Sequence, residues 1–174
     1  NEGIELARGR YVNVLNSDDR FPADRIERFV DLVERTGADW ACSKVRGFDD
    51  SLDNGLRSGM LAMLDDLQRH VCEHSTLGFS FLRGNIAISS GNLFMRRKFA
   101  IDVGLFRGFR YNHDWDFCLR ALWQSEPAYL PAVGYEYRVH AHNTITESRA
   151  AAAEEADGIV RQYLSSALSA HAAP

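Results

Sequence analysis

The apolar run Tyr11-Val12-Asn13-Val14-Leu15, followed at once by Asn16-Ser17-Asp18-Asp19, constrains the fold more than any other segment. The run reads as a short buried strand. The stretch Pro22 to Arg35 comes next, with Ile26, Phe29, Val30 and Val33 at helical spacing. A strand, an acidic turn and an amphipathic helix make an α/β unit, and side chains at a strand's carboxyl end project into the crevice where such proteins bind ligands. Adjacent carboxylates there repel each other unless a cation or a hydroxyl-rich ligand satisfies them, and hard divalent cations prefer oxygen. The same acids also suit a helix N-terminus, as a cap and as partners of its dipole. On this segment alone both readings stay open.

A second acidic group, His113-Asp114-Trp115-Asp116, opens a predicted helix running to Trp123. These acids too can serve as first-turn residues. A third segment, Tyr135-Glu136-Tyr137-Arg138-Val139-His140-Ala141-His142, alternates as a strand and ends in two histidines. Neutral imidazole suits Mn²⁺-type ions, so His140 or His142 can complete a carboxylate site. One carboxylate pair to hold a metal and a further carboxylate to move a proton are the equipment of a metal-assisted transfer enzyme.

The rest of the chain supplies scaffold. Asn1 to Arg8 reads as a helix end closed by Gly9, and Trp40 to Ser43 as a second strand. Gly47 to Gly59 lacks periodicity and reads as an exposed loop. Met60 to Val71 is helical, its methionines serving as core filler. Gly78 to Gly91 is ambiguous and fits a mobile loop over the site. Leu93 to Arg96 is a short strand, and Lys98 to Val103 a helix ended by Gly104. Ala128 to His140 holds strands broken by Pro131 and Gly134, and from Ser148 an alanine-rich helix leads out of the domain.

With 174 residues, 45% of them hydrophobic and 25% charged, the chain suits one globular core. Lys and Arg number 20 against 24 Asp and Glu, and the resulting net charge of −4 argues against a nucleic-acid partner. Cys42, Cys72 and Cys118 are odd in number and widely spaced, which fits reduced thiols better than a disulfide framework or a zinc site.

Taken in order, these segments resemble a known family. Asn1-Glu2-Gly3-Ile4, Ala7-Arg8-Gly9-Arg10-Tyr11-Val12, Leu15-Asn16-Ser17-Asp18-Asp19, Pro22 and Asp24-Arg25 look like the central stretch of the family 2 glycosyltransferases of the GT-A fold. Ser90-Gly91-Asn92-Leu93-Phe94 with Arg96-Arg97 is similar to the segment before that family's second conserved glycine, here Gly104. Asp114-Trp115-Asp116-Phe117-Cys118-Leu119-Arg120 resembles its catalytic-base helix, and Tyr137-Arg138-Val139-His140 with Asn143-Thr144-Ile145 its closing motif.

The resemblance covers residues 1–147. It implies the second half of a GT-A domain, an α/β fold with a mixed sheet flanked by helices, with residues 148–174 as a C-terminal helix or linker. The nucleotide-binding first half would precede Asn1, making the chain part of a longer enzyme with further domains. By the same resemblance Asp19 is the direct ligand of Mn²⁺ or Mg²⁺ and His140 a further one. Asp18 then binds ribose or supports the site, Asp114 is the general base, and Gly91, Asn92 and Trp115 line the acceptor side. Trp115 as plain core packing is an equal reading, and Arg120 is expected to brace Asp116.

The implied reaction is inverting transfer of a sugar from a nucleotide-diphosphate donor to a saccharide or lipid-linked acceptor in bacterial polysaccharide or glycoconjugate synthesis. The implied location is the cytoplasm, with peripheral association at the inner membrane face. The alternative is a non-catalytic module of a polysaccharide synthase. Two departures stand out. Asn16 replaces an aspartate of many relatives, and His113 replaces the glutamate before the base, where a charged imidazole would pull the Asp114 pKa down.

Overall fold

The computed structural model describes residues 1–48, 54–69, 71, 76–140 and 143–172. The helices are α1 (Glu2–Leu6), α2 (Arg25–Thr36), α3 (Asn54–Arg69), α4 (Leu77–Arg83), α5 (Arg97–Asp102), α6 (His113–Ala121) and α7 (Arg149–Ala172); the strands are β1 (Tyr11–Asn13), β2 (Trp40–Phe48), β3 (Phe94–Arg96) and β4 (Ala128–Arg138). The strands form one mixed sheet in the order β1-β3-β2-β4. β3 is antiparallel to both β1 and β2, and β4 is parallel to β2.

Both faces of the sheet are apolar and both are covered. On one face Trp40, Cys42 and Met95 pack with Phe81 of α4, Phe99 of α5 and Phe117 of α6. On the other, Ala41, Phe94 and Ala128 meet Phe29, Leu32 and Val33 of α2. That alternation along β2 and β3 is the two-residue period of a strand, and it fixes the register, because a one-residue slip would exchange the two cores. α2 ends where Gly37 turns to φ 73°, its N–H bonding the Val33 carbonyl at 2.9 Å. Cys42 and Cys118 are buried free thiols, and burial pushes the Cys42 thiol up to about 12.

Tertiary pairing moved several boundaries. β1 stops at Asn13, and Leu15 is 49% exposed rather than buried. β2 continues through Gly47 and Phe48, which pair with Tyr137 and Arg138 although nothing local marks them as strand. α3 starts at Asn54, so much of the expected loop is helix, while residues 49–53 lie outside the described residues. Leu77–Arg83 is a helix with Ser80 and Phe81 buried, not a loop. Ala128–Arg138 is one continuous strand. Its register with β2 shifts around Lys44, where Leu130, Val133 and Tyr135 face Ser43, Lys44 and Val45, so Pro131 and Gly134 sit in bulges instead of breaks.

One cation sits inside the protein. Arg25 is fully buried on the core face of α2, while its neighbour Ile26, expected there, is 48% exposed. Its Nε donates to Asn13 Oδ1 at 2.8 Å, its Nη2 to the Gly91 carbonyl at 3.1 Å, and its Nη1 to the Gly134 carbonyl and to Asn92 Oδ1 at 3.4 Å. The guanidinium carbon lies 4.4 Å from the ring centroids of both Phe21 and Phe29. Burial lowers its pKa to about 10. Asn92 is equally buried; its amide donates to the Ser43 carbonyl at 2.8 Å and the Ala87 carbonyl at 3.1 Å, and its oxygen accepts from Ser43 Oγ at 2.7 Å.

Arg25→Lys keeps the charge but loses the planar fork, so carbonyls on two elements go unpaired. Urea unfolding should show a loss of about 2–4 kcal/mol. Arg28→Lys, one turn on and paired with Asp24 only at the surface, should change stability by less than about 0.5 kcal/mol.

Candidate active site

The turn after β1 is laid along the end of β4. Arg20 exchanges backbone hydrogen bonds of 3.0 Å with Glu136 in both directions, so residues 16–20 run beside that strand. Asp19 Oδ1 accepts the Arg138 N–H at 2.8 Å; its Oδ2 accepts Asn16 Nδ2 at 3.0 Å and the Tyr135 hydroxyl. The carboxylate is 8% exposed. Burial raises its pKa and the neighbouring Asp18 adds to this, against the hydrogen bonds from Tyr135, Arg138 and Asn16.

Asp18 is placed differently. Its side chain is 40% exposed, and its Oδ2 lies 2.9 Å from His140 Nε2. The sequence reading made Asp19 the ligand and Asp18 its support. In the structure Asp19 is turned inward onto protein donors and Asp18 lies beside the histidine. His142 lies outside the described residues.

Asp114 stands in the first turn of α6 with 6% exposure. It accepts the Trp115 N–H at 2.8 Å and a hydrogen bond from the Asn85 side chain. Burial raises its pKa. His113 pulls the other way, as its charge would, but burial wins. The Asn85 side-chain oxygen is buried with no hydrogen-bond partner among the described residues.

One cleft of about 530 Å³ is lined by Asp18, Asp19, Asn85, Asp114, Trp115 and Tyr137, although almost a hundred residues separate the two acidic groups. His140 reaches it through Asp18. Met60, Met63, Leu64 and Leu67 of α3 form an apolar wall. Met63, expected as filler, is 46% exposed there. A larger cavity of about 850 Å³ beside α1 and β1 shares Ser90 and His113 with the cleft.

Gly91 and Asn92 do not line the cleft. Both are buried one layer beneath it, Asn92 in the clasp already described and Gly91 against the Tyr135 ring, which a Cβ would overlap. Trp115 takes both of its readings: it lines the cleft, packs on the core and donates through Nε1 to the Phe81 carbonyl at 2.8 Å. Arg120 braces Asp116 at 2.9 Å, and Arg107 grips the same carboxylate. Sequence reasoning missed Tyr135, Asn85 and Arg25. The only trace of Tyr135 was its inward place in an alternating strand.

Among the described residues no group of three His, Cys, Asp or Glu converges as a ready metal cage, and no helix is long and apolar enough to cross a membrane.

Comparison with known proteins places this geometry. No curated protein sequence matches the chain. Among solved structures it is similar to S. aureus TarS: to residues 1–349 in complex with UDP-GlcNAc, at 15% identity and TM-score 0.61 over 94% of this chain and 50% of that one. Against residues 1–349 alone the values are 16% and 0.57 over 79% and 38%, and against TarS itself 16% and 0.57 over 94% and 29%. The chain therefore spans half or less of these proteins, and the likeness shows a shared α/β fold. The model of glycosyl transferase family 2 matches residues 1–104, more than half of the 174. The chain belongs to glycosyl transferase family 2.

Proposed function

We propose that these residues form the acceptor-side half of a glycosyltransferase active site, moving a sugar from a nucleotide-diphosphate donor to a saccharide or lipid-linked acceptor. One observation carries the reading: Asp18, Asp19 and Asp114 line a single cleft in a member of this family. One of the similar structures holds UDP-GlcNAc, a donor of that chemical class. The proposed setting is bacterial polysaccharide or glycoconjugate synthesis at the inner face of the membrane.

The donor set fits a divalent cation. A half-exposed carboxylate beside an imidazole nitrogen is an oxygen and nitrogen pair that Mn²⁺ accepts, and Mg²⁺ can take the carboxylate. Asp18 and His140 would hold the ion, and Asp19 supports their loop by binding Arg138 and Tyr135. When bound, the cation neutralises the departing diphosphate. Asp114 accepts the proton of the attacking hydroxyl, and Trp115 offers an aromatic wall to the acceptor. Attack from the side opposite the diphosphate inverts the anomeric centre.

The non-catalytic alternative draws on one feature, the full engagement of Asp19 by protein donors. It requires that the intact protein bind neither Mn²⁺ nor nucleotide. On the catalytic reading, Mn²⁺ titration with a nucleoside diphosphate should detect binding. Asp19→Asn should weaken it about 10- to 100-fold, as loss of a supporting partner does. Undiminished affinity in Asp18→Ala would remove Asp18 from the metal site.

Asp114→Asn should lower turnover in the intact enzyme by about two to four orders of magnitude while donor binding survives. Weakened donor binding with turnover intact would make Asp114 a binding residue instead.

The same substitution should stabilise the fold, for a reason with a definite pH window. Asp114 has a folded pKa raised above the ordinary 3.8, so the folded state holds the proton more tightly than the unfolded chain. Stability is then greatest below 3.8 and falls as pH rises through the folded value. Thermal melts of the two proteins should coincide in acid and separate with rising pH, the Asn variant melting higher at neutrality. A gap that narrows with rising pH would contradict the burial argument.

A further inference from the structure

The aim of Asp114 depends on the turn before it, and that turn is held from outside its own helix. Arg110, Tyr111 and Asn112 lead into α6, whose first N–H groups have no partner within the helix. The residue at the cap position, Asn112, makes no side-chain cap bond. A single carboxylate on another element holds the residues that lead into the helix, and of the orphan N–H groups it takes that of Asn112. Glu155 of α7 accepts the Arg110 N–H through Oε1 at 2.8 Å, and the Tyr111 and Asn112 N–H groups through Oε2 at 2.8 and 3.1 Å. The Asn112 side chain is spent on a second tie to the same helix, donating to the Ala152 carbonyl at 2.9 Å. Arg110 is fastened as well, its guanidinium forked onto Glu147 at 2.7 and 2.9 Å. Burial pushes the Glu155 carboxyl up, but the three backbone N–H groups outweigh it and hold the group below the ordinary carboxylate range.

We propose that Glu155 is a positioning residue for Asp114: the C-terminal helix clasps the turn 110–112 that leads into α6 and so sets where the base carboxylate stands. The inference rests on the reading of Asp114 as the base. It also joins α7 to the active site, although its sequence shows only an alanine-rich helix beyond the resemblance. Loss of such hydrogen bonds costs stability wherever it occurs, so a purely structural role must be separated from a positional one. A positional role acts only through Asp114.

The experiment uses the intact enzyme, with release of nucleoside diphosphate followed from a panel of UDP-, GDP- and dTDP-linked sugars at a temperature where every variant is folded. Glu155→Ala should lower kcat on the order of tenfold, because small misplacement of a reacting group is costly, with donor KM unchanged within about twofold. Glu155→Gln, which keeps one accepting oxygen, should recover part of the loss. Glu154→Ala, exposed on the same helix, should behave as the unaltered protein. In an Asp114→Asn background Glu155→Ala should cost nothing more, since the group it positions is already disabled.

Equal fractional losses with and without Asp114 would overturn the positioning role and leave a structural clasp. An active enzyme in which Glu155→Ala matches the parent would overturn the inference while the glycosyltransferase reading stands. A parent protein that releases no nucleotide from any donor would overturn both.

Discussion

A guanidinium with no carboxylate partner among the described residues holds the middle of this molecule together. Arg25 converts one helix residue into hydrogen bonds to β1 at Asn13, to the turn before β3 at Gly91 and Asn92, and to the β4 bulge at Gly134. Burying a cation is costly unless its donors are satisfied. Here carbonyl and amide oxygens satisfy them, and aromatic faces cover the flat sides of the fork. The bulge follows from the same demand. A regular β4 would spend the Gly134 carbonyl on ladder bonding, whereas the shifted register leaves it for Arg25, and the missing side chain lets the strand pass Ser43 and Phe29 closely.

From that centre the order propagates to the cleft. Arg25 packs against the Tyr135 ring at 5.6 Å, and the Tyr135 hydroxyl binds Asp19. Asp19 in turn fixes Arg138 and the 16–20 turn from which Asp18 projects toward His140. Two adjacent aspartates are thereby placed in different surroundings. The inner one is held by protein donors, and the outer one is left at the cleft with an imidazole beside it. Neutral donors stabilise the charge on Asp19, while repulsion from Asp18 persists and adds to the rise in its pKa.

Much of this was legible in the sequence because the relevant signals are local. The strand of Tyr11 to Asn13, the helix after the acidic turn, the helix opening at Asp114 and the bracing of Asp116 by Arg120 all follow from periodicity or from i, i+4 spacing. The order of motifs disclosed the family. What escaped depends on partners far away in the chain. Helical periodicity favours Ile26 over Arg25, because it scores apolarity and cannot see four oxygens waiting from other elements. Asn92 and Gly91 sit in a family-like segment, yet they serve the layer beneath the cleft, where an amide satisfies Ser43 and a missing Cβ admits Tyr135. Pro131 and Gly134 read as strand breakers until β2 supplies a parallel partner that tolerates bulges. Which of Asp18 and Asp19 turns inward had no sequence signal, since two identical side chains differ only in how the loop places them.

If Asp114 is the base, as proposed above, its burial sets stability against chemistry. A carboxylate exposed to water would keep its ordinary pKa and make a weak base at neutral pH. Burial raises that pKa toward the useful range but disfavours the charged form that must accept the proton. The surroundings compromise: the backbone N–H groups of Trp115 and of Asp114 itself and the Asn85 side chain stabilise the anion, and the adjacent residue is a histidine, which is neutral or positive but never negative. A glutamate at position 113 would add like charge at close range and raise the Asp114 pKa further. The histidine at the position where the family pattern has a glutamate therefore works against the rise in proton affinity that burial confers.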